Sequence, residues 1–135
     1  MDDFRQATGP AQLTSTITLA RTAAEAIRGL NHATRHDAGL DQPSVAYDVL
    51  GALRQAASGL PQLTAQITSY LGQALAAGKL GHDRGEDPAL AIDGAVIFLG
   101  DAAISAGALA GDLDAAQQQL ALINGRPAPH RKDTP

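Results

Sequence analysis

Apolar residues recur at alternating steps of three and four along most of this chain, and this spacing constrains its fold more than any other feature. In the first segment the residues that follow it are Leu13, Ile17, Ala20, Ala24 and Ile27. Such spacing places side chains on one face of an α-helix, whereas a half-buried strand alternates at every second residue. With Gly39 and Pro43 as end signals, the segment predicts a helix over 11–37.

The middle segment keeps the same spacing across a strong helix breaker. Its predicted apolar face is Val45, Val49, Leu53, Ala56, Leu60, Leu63, Ile67, Leu71 and Ala74, with Leu50 and Tyr70 beside it. Ser58-Gly59-Leu60-Pro61 interrupts this run, because proline lacks the N–H that a helix interior uses. Two interpretations follow: one helix over 44–78 with a kink near 57–60, or two helices that meet at Pro61. The unbroken register favours the kinked helix.

Glycines punctuate the stretch KLGHDRGEDP, residues 79–88, which predicts a loop. Asp87 fits a helix N-cap, and Pro88 fits the first helical position. A third apolar face then extends to Asn124-Gly125, unless Gly111-Asp112 interrupts it. Its residues are Leu90, Gly94, Ile97, Phe98, Ala102, Ser105, Leu109, Leu113, Ala116, Leu120 and Ile123.

These patterns predict an all-α fold, an antiparallel helical bundle of three long helices, or of four if Pro61 makes a true turn. The bundle domain spans 11–124. A loose lead-in over 1–10 precedes it, and a proline-rich, flexible tail over 125–135 follows it.

Several classes of chemistry are excluded by residue content. The chain contains no cysteine, so it has no disulfide, zinc–thiolate site or cysteine nucleophile. It has no GxSxG, HExxH or GxxxxGK[ST] motif. Its two glutamates, Glu25 and Glu86, are too few for a di-iron carboxylate bundle. The sequence therefore predicts a protein that is not an enzyme and uses no cofactor.

Charge and hydropathy bear on location and partners. A net charge of −4 and an aromatic content of 3% argue against a general nucleic-acid binder. The most apolar stretch, residues 89–110, contains Asp93 and Asp101, and carboxylates are costly inside a bilayer. The opening residues, MDDFRQ, lack the apolar run of a signal peptide. We expect a cytoplasmic protein without a membrane contact.

A cluster of polar residues, LNHATRHDAGLD, ends the first predicted helix. His32 and His36 are four residues apart, so both imidazoles would share one helix face and could bind one metal ion. A metal- or small-ligand-binding bundle is thus one hypothesis, and it predicts a thermal shift on addition of zinc, nickel or manganese. The alternative is an exposed helix end, where histidine interacts well with the helix dipole.

Arginines form a stripe on the same helix. Arg21, Arg28 and Arg35 are spaced by seven residues and would project in nearly one direction. The stripe could contact an acidic partner or phosphates, and nucleic-acid binding through it would weaken steeply with added salt. The alternative is a solvated face in which Glu25 pairs with Arg21 and Arg28.

Small residues form a second stripe on the last helix. Gly100, Ala103, Gly107 and Ala110 recur at steps of three and four. Glycine costs a helix about 1 kcal/mol relative to alanine, so close packing of another helix is one explanation. That helix belongs either to the same chain or to a second protomer.

The stretches LNHAT, YDVLGALRQAASGLPQLTAQ and GHDRGEDP resemble uncharacterised all-helical bacterial proteins of high-GC actinobacteria. The resemblance implies a helical fold and carries no activity. Together with the stripes, it leads us to predict a non-enzymatic helical protein-interaction module that self-associates as a homo-oligomer, a dimer, or binds another protein. Nucleic-acid binding or regulation through the arginine stripe is the first alternative.

Overall fold

The structure, a computed structural model, describes residues 10–126, apart from the side chains of residues 10–14, 37 and 38. The predicted tail beyond residue 126, and the lead-in up to residue 9, lie outside the described residues. The chain divides into two compact units, Met1–Asp41 and Gln42–Pro135.

The first unit contains helix α1, which spans Pro10–Ala33, and a short 3-10 helix over Asp37–Leu40. The prediction that this helix continues to residue 37 is wrong, because the chain turns back onto its last carbonyls. The Thr34 hydroxyl donates to the Leu30 carbonyl at 2.8 Å. A Cβ added to Gly39 would overlap the backbone carbonyl of Ala33, so only glycine allows this approach.

The second unit is a hairpin of two long helices, α2 over Pro43–Ala76 and α3 over Pro88–Leu120. The start of α2 lies beside the end of α3. The Gln117 side-chain amide donates to the Tyr47 carbonyl at 3.2 Å, and Arg54 Nε lies 3.6 Å from Asp114 Oδ1. The two helices are therefore antiparallel.

The middle helix is continuous, as the unbroken register predicted, and Pro61 lies inside it. Side chains around the proline bond to backbone carbonyls. The Ser58 hydroxyl donates to the Arg54 carbonyl, and the Thr64 hydroxyl donates to the Pro61 carbonyl, both at 2.9 Å. The alternative of two helices that meet at Pro61 is wrong. Within residues 10–126 the fold is all-α with three long helices, which confirms the predicted fold class.

The loop between α2 and α3 follows its predicted chemistry. Gly78 and Gly85 have φ angles of +70° and +74°, in the left-handed region that glycine tolerates. Asp87 is the N-cap of α3 and accepts from the Ala89 amide at 3.0 Å, with Pro88 in the first turn. Both assignments were predicted from the sequence. α3 also runs through Gly111-Asp112 without a break.

The two helices of the hairpin meet along a seam with a seven-residue period. We define the seam as the buried and half-buried positions that recur at steps of three and four on each helix. On α2 they are Tyr47, Leu50, Arg54, Ala57, Pro61, Thr64, Thr68, Leu71 and Leu75. On α3 they are Ala89, Ile92, Val96, Leu99, Ala103, Ala106, Ala110, Leu113, Gln117 and Leu120. This is the spacing of coiled-coil packing.

The predicted apolar face of α2 is correct toward its ends, where Leu71 lies in the seam and Ala74 is buried, and wrong in its middle. There Leu60, Leu63 and Ile67 are exposed, as is Tyr70 beside them, whereas Ala57 is buried. Between residues 54 and 68 the seam lies one residue further along the chain, mostly on small and hydroxyl-bearing residues. On α3 the predicted face also fails in part, because Leu90, Ile97, Phe98 and Leu109 are exposed. Alanines occupy the middle of the seam on α3, and these four larger side chains lie beside it.

Asp87→Ala should lower the free energy of unfolding by about 1 kcal/mol, because it removes the side-chain acceptor that caps α3. Urea denaturation followed by circular dichroism measures this change. Asp83→Ala in the same loop is the matched control and should change stability by less than about 0.5 kcal/mol. Equal losses in the two variants would show that the cap contributes nothing specific.

Candidate functional site

The three arginines of the predicted stripe do not share one helix face. Arg21 and Arg28 are exposed on α1, but Arg35 follows the end of the helix, and its amide donates to the His32 carbonyl at 3.3 Å. Arg28 forms an exposed ion pair with Glu25 at 3.4 Å. Such pairs typically contribute about 0.2–1 kcal/mol, so this one does not fix a site.

The two histidines of the polar cluster are also separated by the end of α1. His32 lies in the last turn of the helix, whereas His36 precedes the 3-10 helix with an extended backbone, φ −121° and ψ 150°. The prediction that both imidazoles share one helix face is therefore wrong. Among the described side chains, which do not include that of Asp37, no group of three or more histidines, aspartates or glutamates has the arrangement of a metal site.

The small-residue stripe of α3 divides between two faces. Ala103 and Ala110 are half-buried in the seam. Gly100 and Gly107 are exposed, and a Cβ added to either would meet no atom within 4 Å. Packing within the hairpin explains why residues 103 and 110 are small, whereas Gly100 and Gly107 lie on an open surface.

Four residues form a polar contact between the helices at the end of the hairpin where α2 begins. We call Gly51, Gln117, Arg54 and Asp114 the polar lock. A Cβ on Gly51 would lie 2.5 Å from Gln117 Nε2, so glycine makes room for the amide that donates to the Tyr47 carbonyl. Arg54 Nε is buried, has no hydrogen-bond partner and lies 3.6 Å from the Asp114 carboxylate.

An open concavity of about 500 Å³ lies at the other end of the hairpin, in the loop. Its lining includes His82, Asp83, Arg84 and Glu86. His82 Nδ1 accepts from the Arg84 amide at 3.1 Å, and its Nε2 lies 3.7 Å from Glu86 Oε2. Both contacts of the His82 ring lie within the loop, and no group that could hold a metal ion is found among its described side chains.

The surface that sequence reasoning misplaced is the predicted core face of α2. We call Ala56, Leu60, Leu63, Ile67 and Tyr70 the α2 strip. The exposed fractions of the four large residues are 41, 50, 41 and 64%, in chain order. The spacing of apolar residues in the sequence identifies this strip, since its members follow steps of four and three. The spacing alone does not say which neighbour covers a face.

α3 is also apolar on its outer side, where Ile97, Phe98 and Ile104 are exposed. By length and composition alone, Pro88–Leu120 could cross a membrane. A single helix of this kind is weak evidence, because core helices of soluble proteins pass the same test. Asp93, Asp101, Asp112 and Asp114 all belong to this helix.

The described residues define an all-α protein organised around a long antiparallel helical hairpin whose large apolar side chains lie mostly outside its seam. No protein-family model, curated protein or solved structure matches this chain.

Gly51→Ala should leave stability nearly unchanged, because a gain of up to about 1 kcal/mol in helix propensity is offset by loss of the Gln117–Tyr47 hydrogen bond. Gly72→Ala is the matched control, three heptads further along the same face with open space around it. It should stabilise the hairpin by about 0.5–1 kcal/mol. Thermal or urea denaturation compares the two.

The Gln117→Ala background completes that comparison. There Gly51→Ala should stabilise as much as Gly72→Ala does, since the amide that it displaces is gone. Equal gains in the wild-type background would contradict the polar lock.

Replacing Arg21, Arg28 and Arg35 together by glutamine should change stability by less than about 0.5 kcal/mol, because all three residues are exposed. Circular dichroism should show the wild-type helix content, and an acidic partner should bind more weakly. Loss of helix content would show that these arginines are internal.

Proposed function

We propose that this chain is a non-enzymatic helical interaction module that self-associates in the cytoplasm. The observation that supports the proposal is the set of large apolar residues on the surface of the hairpin, among them Leu60, Leu63, Ile67 and Tyr70 on α2 and Ile97, Phe98 and Ile104 on α3. A monomeric soluble protein rarely keeps a contiguous apolar patch of this kind in water, and such a patch usually marks an interface.

The interior of the hairpin supports the same conclusion. Among the described residues, the buried apolar ones are Ala57, Ala74 and Ala106, and no large side chain is fully buried. Full burial of one leucine or isoleucine stabilises by about 1.5–3 kcal/mol, so covering the exposed residues would add much more than the three alanines supply. Association is the route by which small domains with little interior gain such burial.

Two kinds of partner fit the module: a second copy, which makes a homo-oligomer, or another helical protein. Self-association requires no further component, so it is the leading proposal. The arginines of α1 and the exposed Gly100 and Gly107 of α3 stay as candidate surfaces for additional contacts.

The purified chain should elute as a dimer, with twice the 13.8 kDa mass of one chain, when light scattering is coupled to size exclusion at micromolar concentration. Dilution should lower the apparent mass and the melting temperature together, because association and folding are linked. A single-chain mass at every concentration up to about 1 mM would end the proposal of self-association.

A further inference from the structure

We propose that the α2 strip is the self-association surface, and that it packs antiparallel on the α2 strip of a second copy across a twofold axis near Leu63. This inference rests on the proposed self-association and assigns its surface and direction. The two hairpins would then form a four-helix assembly, in which each chain contributes α2 to the centre.

The strip is complementary to itself in size when it is reversed. A twofold axis between residues 63 and 64 places Leu60 opposite Ile67 of the second copy and brings the two Leu63 side chains together. It also places Ala56, the small end of the strip, within one residue of the position opposite Tyr70, the large end. In an isologous interface, a contact from residue i of one copy to residue j of the other is repeated from residue j of the first copy to residue i of the second. The strip must therefore match itself when it is reversed. A parallel pairing would instead set Tyr70 against Tyr70 and alanine against alanine.

Charge also selects α2 over α3 as the helix that meets its own copy. Residues 55–78 contain no aspartate, glutamate, lysine, arginine or histidine, whereas about a quarter of the residues in an average soluble domain are charged. The four charged residues of α3 are all aspartates, so two α3 helices in contact would repel each other. Interface centres are depleted of charge, as α2 is over this stretch.

The available area suits a dimer of this kind. From Leu53 to Ala74 the helix is about 32 Å long, at 1.5 Å per residue. At a width of about 10 Å, α2 offers roughly 320 Å² along that length, so two copies bury about 640 Å² in total. An interface of this size is that of a weak, reversible dimer.

Leu63→Glu is the first test, because it places two carboxylates against each other at the twofold axis. The variant should have the mass of a single chain where the wild type is a dimer, with at least a hundredfold weaker association. Ile104→Glu is the matched control: it removes an apolar side chain that is 75% exposed, against 50% for Leu63, and its heptad position puts it on the other side of the hairpin. This variant should stay dimeric.

Single cysteines give a positional test, since the natural chain has none. Under mild oxidation Leu63→Cys should form a disulfide-linked dimer. Leu60→Cys alone should not, because the two copies of residue 60 are about 10 Å apart along the axis, beyond the reach of a disulfide. A mixture of Leu60→Cys and Ile67→Cys chains should crosslink. Ala65→Cys places the thiol on another face of α2, so its crosslinking rate measures random collision between chains.

The outcomes separate the two proposals. A wild type that is monomeric at all concentrations overturns self-association itself. A wild-type dimer with a dimeric Leu63→Glu variant, and no crosslink through Leu63→Cys, overturns only the assignment to the α2 strip. Crosslinking through Leu60→Cys as fast as through Leu63→Cys overturns the antiparallel direction. The expected pattern of mass loss and crosslinks supports the assignment.

Discussion

The α2–α3 seam is the contact on which the hairpin depends, and its middle is built from small residues. Ala57 on α2 and Ala103, Ala106 and Ala110 on α3 lie there, whereas leucine and isoleucine occupy the seam toward its ends. Beside that middle section, Leu60, Leu63 and Ile67 lie on an exposed flank of α2. The hairpin thus has a thin interior and a wide apolar outside, which is the reverse of a self-sufficient domain.

The alanines and threonines in the middle of the seam are permissive about register, because one small side chain replaces another with little loss. Polar contacts supply the missing specificity. Gln117 bonds to the Tyr47 carbonyl only where Gly51 leaves space, and Arg54 faces Asp114 one turn further along. A shift by one heptad would leave the buried amide without its acceptor, at a cost of about 1–3 kcal/mol. Buried polar groups fix coiled-coil registers in the same way.

The sequence was sufficient to predict that the chain forms three long helices, and insufficient to predict which faces of those helices are exposed. Local chemistry decided the all-α class, the cap at Asp87 and the continuity of α2 through Pro61, and these predictions are confirmed. The end of α1 depended on Gly39 reaching back to the Ala33 carbonyl, a contact that periodicity does not encode. Because the prediction lacked this contact, it extended α1 too far and placed Arg35 and His36 on the helix. The α2 strip was found as a pattern and wrongly assigned to the interior, because two adjacent faces of α2 both follow the heptad spacing.

Two faces on one helix have a structural consequence. The seam face and the α2 strip are offset by one residue, or about 100° around the helix, so a helix packed on each would not occupy the same space. α2 is therefore suited to the centre of an assembly, where it contacts α3 on one side and a further helix on the other. α3, with its aspartates, is suited to the periphery. A chain with net charge −4 can bring two copies together most easily through the helix that contributes least to that charge.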